Sequence, residues 1–113
     1  DVELLVGLPR LEAVFVSYTD ITDRALVALS KIPTIQGIGC GANNITDSGL
    51  EPLTGLKRLG YLDVNTSKQI TDRAFEYIDR MENLRQLNVA WTSMTPEAVE
   101  AFKRRRPDCR VQP

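Results

Sequence analysis

The sequence predicts an α/β solenoid, in which a short strand and a short helix alternate along the whole chain. The first observation is a tripeptide of the Ile-Thr-Asp kind, which recurs at spacings of 24, 25 and 24 residues from Ile21, Ile45, Ile70 and Met94. The second is that the apolar residues between these tripeptides keep step from unit to unit. The third is that apolar residues at helical spacing follow each tripeptide. A fixed period of this length is typical of stacked repeats, which bury one continuous core together.

Each unit contains a predicted strand with side chains that alternate between two faces. In the first unit Val14 and Val16 point inward, while Ala13, Phe15 and Ser17 point outward. The aligned apolar positions are Leu8, Leu11, Val14 and Val16; Ile32, Ile35, Ile38 and Cys40; Leu56, Leu59, Leu62 and Val64; and Met81, Leu84, Leu87 and Val89. We expect these strands to form a parallel β-sheet on the concave face of the solenoid.

Each unit then contains a predicted short helix, on the convex face. A Thr occupies the N-cap position, where its hydroxyl can accept a hydrogen bond from a free backbone N–H. Pro96 and Glu97 support this assignment, because Pro is favoured at the first helical position and an acid suits the first turn. The inward helical residues are Leu26 and Leu29, Leu50 and Leu53, Phe75 and Ile78, and Val99 and Phe102. Each helix should have about two to three turns.

These patterns predict one repeat domain over residues 1–113. Residues 1–7 form the helix of a truncated repeat, the repeats span 8–31, 32–55, 56–80 and 81–104, and residues 105–113 form a C-terminal cap. Because the chain begins inside a repeat, we expect it to continue upstream of Asp1. At the other end, Pro107 ends the last helix, and Cys109 and Val111 alternate as a short closing strand.

The repeats resemble leucine-rich repeats of the Ile-Thr-Asp-x-x-Leu kind, found in bacterial proteins and in the cysteine-containing repeats of F-box proteins. They are most similar to repeats of planctomycete-type bacterial proteins, in which Thr replaces the usual Asn ahead of the Ile. That position is Thr19, Asn43 and Thr92 here. Cys40 lies at an inward strand position instead of the cysteine site of the F-box repeats. The resemblance implies a protein that recognises other proteins.

Composition excludes several functions. The sequence has no histidine, so Ser-His-Asp and Cys-His catalytic groups cannot form within it. Cys40 and Cys109 are expected to lie about three strand spacings apart, which at ~4.8 Å each is too far for a disulfide. Two buried free thiols are more typical of a reducing, cytoplasmic compartment. With a net charge of −1, we expect neither a nucleic acid nor a membrane as partner. We interpret the basic run Lys103–Arg106 as charge suited to a helix C-terminus.

One motif suggests a different function. Gly37, Gly39 and Ala42 fit the G-x-G-x-x-G/A pattern of dinucleotide-binding loops. The repeat pattern contradicts this interpretation, because it places the glycines at outward strand positions and starts the helix near Thr46. A lone match of this kind is weak evidence.

The outward strand face carries the residues that the core does not explain. Two interpretations of its glycines remain open: they leave a bare trough between aromatic anchors, or they relieve crowding. The candidate partner-binding residues are Phe15, Tyr18, Gly37, Gly39, Gly41, Tyr61, Asp63, Asn65, Gln86, Asn88 and Trp91.

The hypothesis that follows is non-enzymatic protein–protein interaction through the concave strand face. An alternative is that the chain is the targeting or substrate-recognition segment of a larger enzyme, or of a ubiquitin-ligase-like adaptor, whose other domain lies upstream. A third hypothesis is self-association through the exposed first repeat. No metal or cofactor is expected, and the identity of the protein partner does not follow from the sequence.

Overall fold

Five short parallel strands form one sheet in the part of the chain that the structure describes. The computed structural model describes residues 13–15 and 22–113, with Phe15 described by its backbone alone. The strands are β1 (Ala13–Phe15), β2 (Gly37–Gly39), β3 (Tyr61–Asp63), β4 (Gln86–Asn88) and β5 (Arg110–Gln112). The helical segments are α1 (Asp23–Leu29), a 3₁₀ helix (Asp47–Gly55), a 3₁₀ turn (Asp72–Ala74) that continues into α2 (Phe75–Ile78), and α3 (Pro96–Arg105). The strands lie in chain order, so one helical segment connects each neighbouring pair.

The predicted inward residues form the core. Ile38, Leu62 and Leu87 align across the middle strands of the sheet and are fully or almost fully buried. All the predicted inward helical residues are buried as well: Leu26, Leu29, Leu50, Leu53, Phe75, Ile78, Val99 and Phe102. Strand and helix residues belong to a single hydrophobic cluster. The period read from the sequence therefore identified the core correctly from β2 onward, while Leu8, Leu11 and Val16 lie outside the described residues.

The helical segment of the second unit is not a regular α-helix. Its helical segment, Asp47–Gly55, is a 3₁₀ helix that contains Pro52. Proline has no N–H to donate, and its ring crowds the carbonyl four residues earlier, which disfavours α-helical hydrogen bonding there. Leu50 and Leu53 still reach the core, because a three-residue spacing keeps both side chains on one side of a 3₁₀ helix.

A ladder of Asp–Thr hydrogen bonds connects successive units and explains why the Ile-Thr-Asp tripeptide recurs. The Asp23 carboxylate accepts hydrogen bonds from the backbone N–H of Thr46, at 2.9 Å, and from its hydroxyl. Asp47 accepts the same two bonds from Thr71, and Asp72 accepts them from Thr95. Each Asp thus fixes the start of the next helical segment.

This ladder changes the expected role of the threonines. All of them occupy the predicted N-cap positions, but the Thr22 and Thr46 side chains accept no capping bond. The Thr71 hydroxyl accepts a 3.3 Å bond from the N–H of Arg73, and the Thr95 hydroxyl accepts a 3.2 Å bond from Ala98. The hydroxyls of Thr46, Thr71 and Thr95 also donate to the Asp of the preceding unit. The sequence analysis did not anticipate these bonds.

The position after each strand that carries the usual Asn of these repeats has a different residue in each described unit. The Asn43 side-chain amide donates to the carbonyls of Cys40 and Gly41. The hydroxyl of Thr92 donates to the carbonyl of Val89 at 2.8 Å. The equivalent residue between them is Ser67, which is fully buried and whose hydroxyl has no hydrogen-bond partner. Thr19, the first residue of this series, lies outside the described residues.

The C-terminal basic run packs against the preceding unit. Arg105 forms an ion pair with Asp79 at 3.1 Å and lies over the stacked rings of Phe75 and Phe102. The guanidinium of Arg106 donates to the Met81 carbonyl at 3.0 Å. These contacts support the interpretation of the run as part of the C-terminal cap. The predicted closing strand is confirmed as β5, which pairs with β4.

The repeat boundaries at 8–31, 32–55, 56–80 and 81–104, with the cap at 105–113, stay a prediction. The described strands and helical segments lie at the expected places within them. The predicted truncated helix at 1–7 lies outside the described residues.

Candidate partner-binding face

The strand register arranges the outward residues in two rows across the sheet. The first row is Ala13, Gly37, Tyr61, Gln86 and Arg110, and the second is Phe15, Gly39, Asp63, Asn88 and Gln112. Neighbouring members of a row are about 4.8 Å apart along the sheet. Four of the predicted binding residues, Tyr61, Asp63, Gln86 and Asn88, are therefore direct neighbours on β3 and β4.

Two of the three glycines predicted to form a trough, Gly37 and Gly41, lie against residues of the next unit, and the trough itself stays a prediction. Gly37, Gly39 and Gly41 are all buried. A methyl group at Gly37 would lie 3.4 Å from the Tyr61 ring, and one at Gly41 would lie 2.6 Å from the Asn65 carbonyl oxygen. At Gly41 a side chain would therefore clash with backbone, so this glycine is required for the close approach of the neighbouring unit. The relief of crowding explains Gly41, and Tyr61 covers Gly37.

Asp63 holds its own neighbours in place. One carboxylate oxygen accepts a 3.1 Å bond from the Tyr61 hydroxyl. The other accepts bonds from the backbone N–H and the side-chain NH₂ of Asn65, at 2.9 and 2.6 Å. Partial burial, together with the charge of Asp63 and the hydrogen bond to it, raises the pKa of Tyr61. The structure thus brings Tyr61, Asp63 and Asn65 together as a preformed group, in which the Asp63 carboxylate orients the other two side chains.

A cleft of about 350 Å³ crosses the sheet from β3 to β5. Its polar lining comes from Gln86, Asn88, Arg110 and Gln112, and Tyr61 and Pro113 line its ends. Gln86, Arg110 and Gln112 are exposed, and Asn88 is half-buried. The Asn88 side-chain oxygen accepts a 3.1 Å bond from the N–H of Ala90. The remaining amide and guanidinium groups are available to a ligand in this cleft.

Trp91 lies at a different cleft. Its side chain is 73% exposed and borders an apolar cleft of about 180 Å³ with Val89, Met94, Val99 and Pro113. Its backbone has a φ of 61°, in the left-handed region. Tyr61 is not part of this cleft, although the sequence placed both aromatic residues in one binding face. The structure therefore divides the predicted anchors between two neighbouring clefts that share Pro113.

Comparison with solved structures identifies the fold. The chain is similar to internalin C2 from Listeria monocytogenes, with a TM-score of 0.69 and 25% identity, over 84% of this chain and 39% of that protein. It is also similar in fold to an internalin F of the same organism, with a TM-score of 0.57 and 16% identity, over 99% and 44% of the two chains. A leucine-rich repeat protein from Leptospira interrogans gives a TM-score of 0.54 and 14% identity, over 96% and 38%.

The fold is that of a leucine-rich repeat protein. The chain spans less than half the length of each of these bacterial proteins. No protein-family model matches the sequence. The specific kind of leucine-rich repeat, Ile-Thr-Asp-x-x-Leu of the planctomycete or F-box type, stays a prediction.

Other sites predicted from the sequence have a structural explanation or stay untested. Gly37 and Gly39 belong to β2, and the next helical segment begins at Asp47, five residues after Ala42, which contradicts the arrangement of a dinucleotide-binding loop. The structure gives only the backbone of Phe15, in β1, and Tyr18 lies outside the described residues.

The cysteines are both buried free thiols, as predicted. Burial, together with the charges of Asp63 and Asp23, raises the pKa of Cys40 to about 12. Burial also raises the pKa of Cys109. Since the thiolate is the reactive form, neither residue is suited to act as a nucleophile.

None of the helices described is long and apolar enough to cross a membrane. Among the described residues, no three His, Cys, Asp or Glu side chains are grouped so that they could hold a metal ion.

Two residues of the strand face were missed by the sequence analysis. Arg110 and Gln112 line the cleft beside Gln86 and Asn88, yet neither was a predicted binding residue. The signal was present, because Cys109 and Val111 were predicted to point inward from a closing strand. The same alternation places Arg110 and Gln112 on the outward face.

Proposed function

We propose that this chain is a non-enzymatic protein-interaction module that binds a partner protein through its strand face. The described part of that face is the cleft across β3, β4 and β5. In the complete solenoid we expect this face to be concave. Similarity to bacterial leucine-rich repeat proteins supports a general protein-binding role.

The observation that carries the proposal is a polar cleft on a rigid sheet. Gln86, Asn88, Arg110 and Gln112 present amide and guanidinium groups from adjacent strands. None of these side chains fills the core beneath them. Because the strands are fixed by parallel pairing, the groups are held at regular spacing before a partner arrives, which lowers the entropic cost of binding.

The chemistry of the chain also favours binding over catalysis. It contains no histidine, and its two thiols are buried with raised pKa values. The polar side chains that line the cleft are three amides, one guanidinium and the Tyr61 hydroxyl, and none of them is acidic. Such groups recognise peptide backbones and polar side chains but do not supply a general base near neutral pH.

A matched pair of double variants tests the proposal. Peptides are first selected from a random phage-displayed library on the wild-type chain, and their affinities are measured by fluorescence anisotropy. Gln86→Ala with Asn88→Ala should weaken binding about tenfold, since two hydrogen bonds contribute roughly 0.5–1.5 kcal/mol each. The control is Asn44→Ala with Gln69→Ala, which removes the same chemical groups from exposed positions outside the cleft.

The control should bind like the wild type, and thermal unfolding should show that both variants are folded. Equal losses in the two double variants, or full affinity after Gln86→Ala with Asn88→Ala, would remove the strand face from the proposal. The alternative role as a recognition segment of a larger enzyme or adaptor, and self-association through the first repeat, stay hypotheses that no described residue favours.

A further inference from the structure

We infer that the partner segment in the strand-face cleft is acidic, and that an Asp or Glu side chain of the partner pairs with Arg110. The inference rests on the proposed function and names the chemistry of its partner. The term strand-face cleft refers here to the cleft lined by Tyr61, Gln86, Asn88, Arg110, Gln112 and Pro113.

Arg110 forms no ion pair with an acidic side chain of the described residues. It is exposed on β5. The nearest acid in sequence, Asp108, already pairs with Arg85 at 3.2 Å and with Arg106 at 3.8 Å. One carboxylate therefore serves two other guanidinium groups.

The surroundings of the cleft add to this positive surplus. A second cleft, of about 540 Å³, shares Gln86 and Arg110 with the strand-face cleft and is also lined by Arg85, Pro107 and Asp108. Together, the linings of the two clefts contain two arginines, Arg85 and Arg110, and one acidic residue, Asp108. Asp63, on β3, already accepts hydrogen bonds from Tyr61 and Asn65. The whole chain carries a net charge of only −1, so the excess is local.

The positions of the polar groups suit an extended peptide with one carboxylate. Gln86 lies beside Arg110 in one row, and Asn88 lies beside Gln112 in the other. Amide side chains can donate to and accept from a peptide backbone. A guanidinium presents parallel N–H groups that match the two oxygens of a carboxylate. A peptide whose backbone bonds to the amides of β4, and whose carboxylate bonds to Arg110 on β5, would therefore satisfy the polar groups that line the cleft.

The test compares acidic peptides with their amide counterparts. Peptides selected on the wild-type chain from a random library should be richer in Asp and Glu than the unselected library. Replacing the acidic residue of a selected peptide by Asn or Gln should weaken its binding about twofold to fivefold, because a solvent-exposed ion pair contributes up to about 1 kcal/mol. Arg110→Gln should abolish this difference. Arg104→Gln is the matched control, because Arg104 is an exposed arginine on α3, outside both clefts.

The outcomes separate this inference from the proposed function. If the peptides lose affinity for Gln86→Ala with Asn88→Ala but bind equally well as acid and amide, the strand face binds and the acidic partner is wrong. If they are insensitive to that double variant, both ideas fall. An acid preference that survives Arg110→Gln, or that disappears in Arg104→Gln as well, would overturn the assignment to Arg110. Arg110→Lys, which keeps the charge, should fold and retain the preference, and its loss there would also count against the pairing.

Discussion

Removal of one Asp from the ladder should destabilise the whole domain. Asp47→Ala deletes the acceptor of two hydrogen bonds from Thr71, one from its backbone N–H at 2.7 Å and one from its hydroxyl. Hydrogen bonds to a charged group contribute about 1.5–3 kcal/mol each. The pair is only partly buried, and the freed hydroxyl can turn to water, so we expect a total loss of about 2–3 kcal/mol. That is a large part of the roughly 5–15 kcal/mol by which a domain is stable.

Urea denaturation followed by circular dichroism measures this loss. Asp79→Ala is the control, because Asp79 forms an ion pair with Arg105 in which both side chains are more than 40% exposed, and such pairs contribute at most about 1 kcal/mol. Asp47→Asn should cost about 1 kcal/mol, since its carbonyl oxygen still accepts from the Thr71 N–H. If Asp47→Ala loses no more than Asp79→Ala, the ladder does not hold the units together.

Three other substitutions test single features. Ser67→Ala should stabilise the domain by about 1 kcal/mol in urea denaturation, because it removes a buried hydroxyl without a partner; a loss of stability would contradict this. Ala42→Gly should gain about 0.5–1 kcal/mol because Ala42 has a φ of 59°, whereas the control Ala101→Gly, within α3, should lower the unfolding free energy by about as much. A loss of stability in both variants would exclude strain at Ala42. The folded-state pKa of Cys40 is raised from 9.0 to about 12, so its contribution to stability is complete below pH 9 and declines between pH 9 and 12. Cys40 alone should lower the unfolding free energy by about 1.4 kcal/mol per pH unit in that range. Cys40→Val should remove this part of the slope and keep the part that comes from Tyr61 and Cys109, whose pKa values are also raised; identical slopes would refute the assignment to Cys40.

The pattern of the sequence was sufficient for the architecture. A period of 24 to 25 residues, with inward residues at fixed places, identified the core, the parallel strands and the closing strand at Arg110–Gln112. This succeeded because each unit has too little apolar surface to fold alone, so the repeated pattern itself requires stacking. The second helical segment was less predictable, since Pro52 altered its hydrogen bonding without altering which residues face the core.

The binding face was predicted in part. Alternation along a strand places Tyr61, Asp63, Gln86 and Asn88 outward, and the register confirms that they are neighbours. It does not reveal where each side chain turns. The Tyr61 ring lies against Gly37, and Asp63 accepts a hydrogen bond from Asn65, and neither contact follows from alternation along the strand. Trp91 was grouped with Tyr61 by composition, yet it lies at another cleft.

By itself, then, the sequence determined the repeat period, the core and the strand face, because these depend on spacing that every unit shares. Tertiary structure decided which outward side chains remain available to a partner, because that depends on contacts between units. The Asp–Thr ladder, the glycine packing and the pairing of Asp108 with Arg85 all join residues about 20 or more positions apart in the chain. Among the described residues, Asp108 pairs with Arg85 and Arg106, and Arg110 belongs to no ion pair.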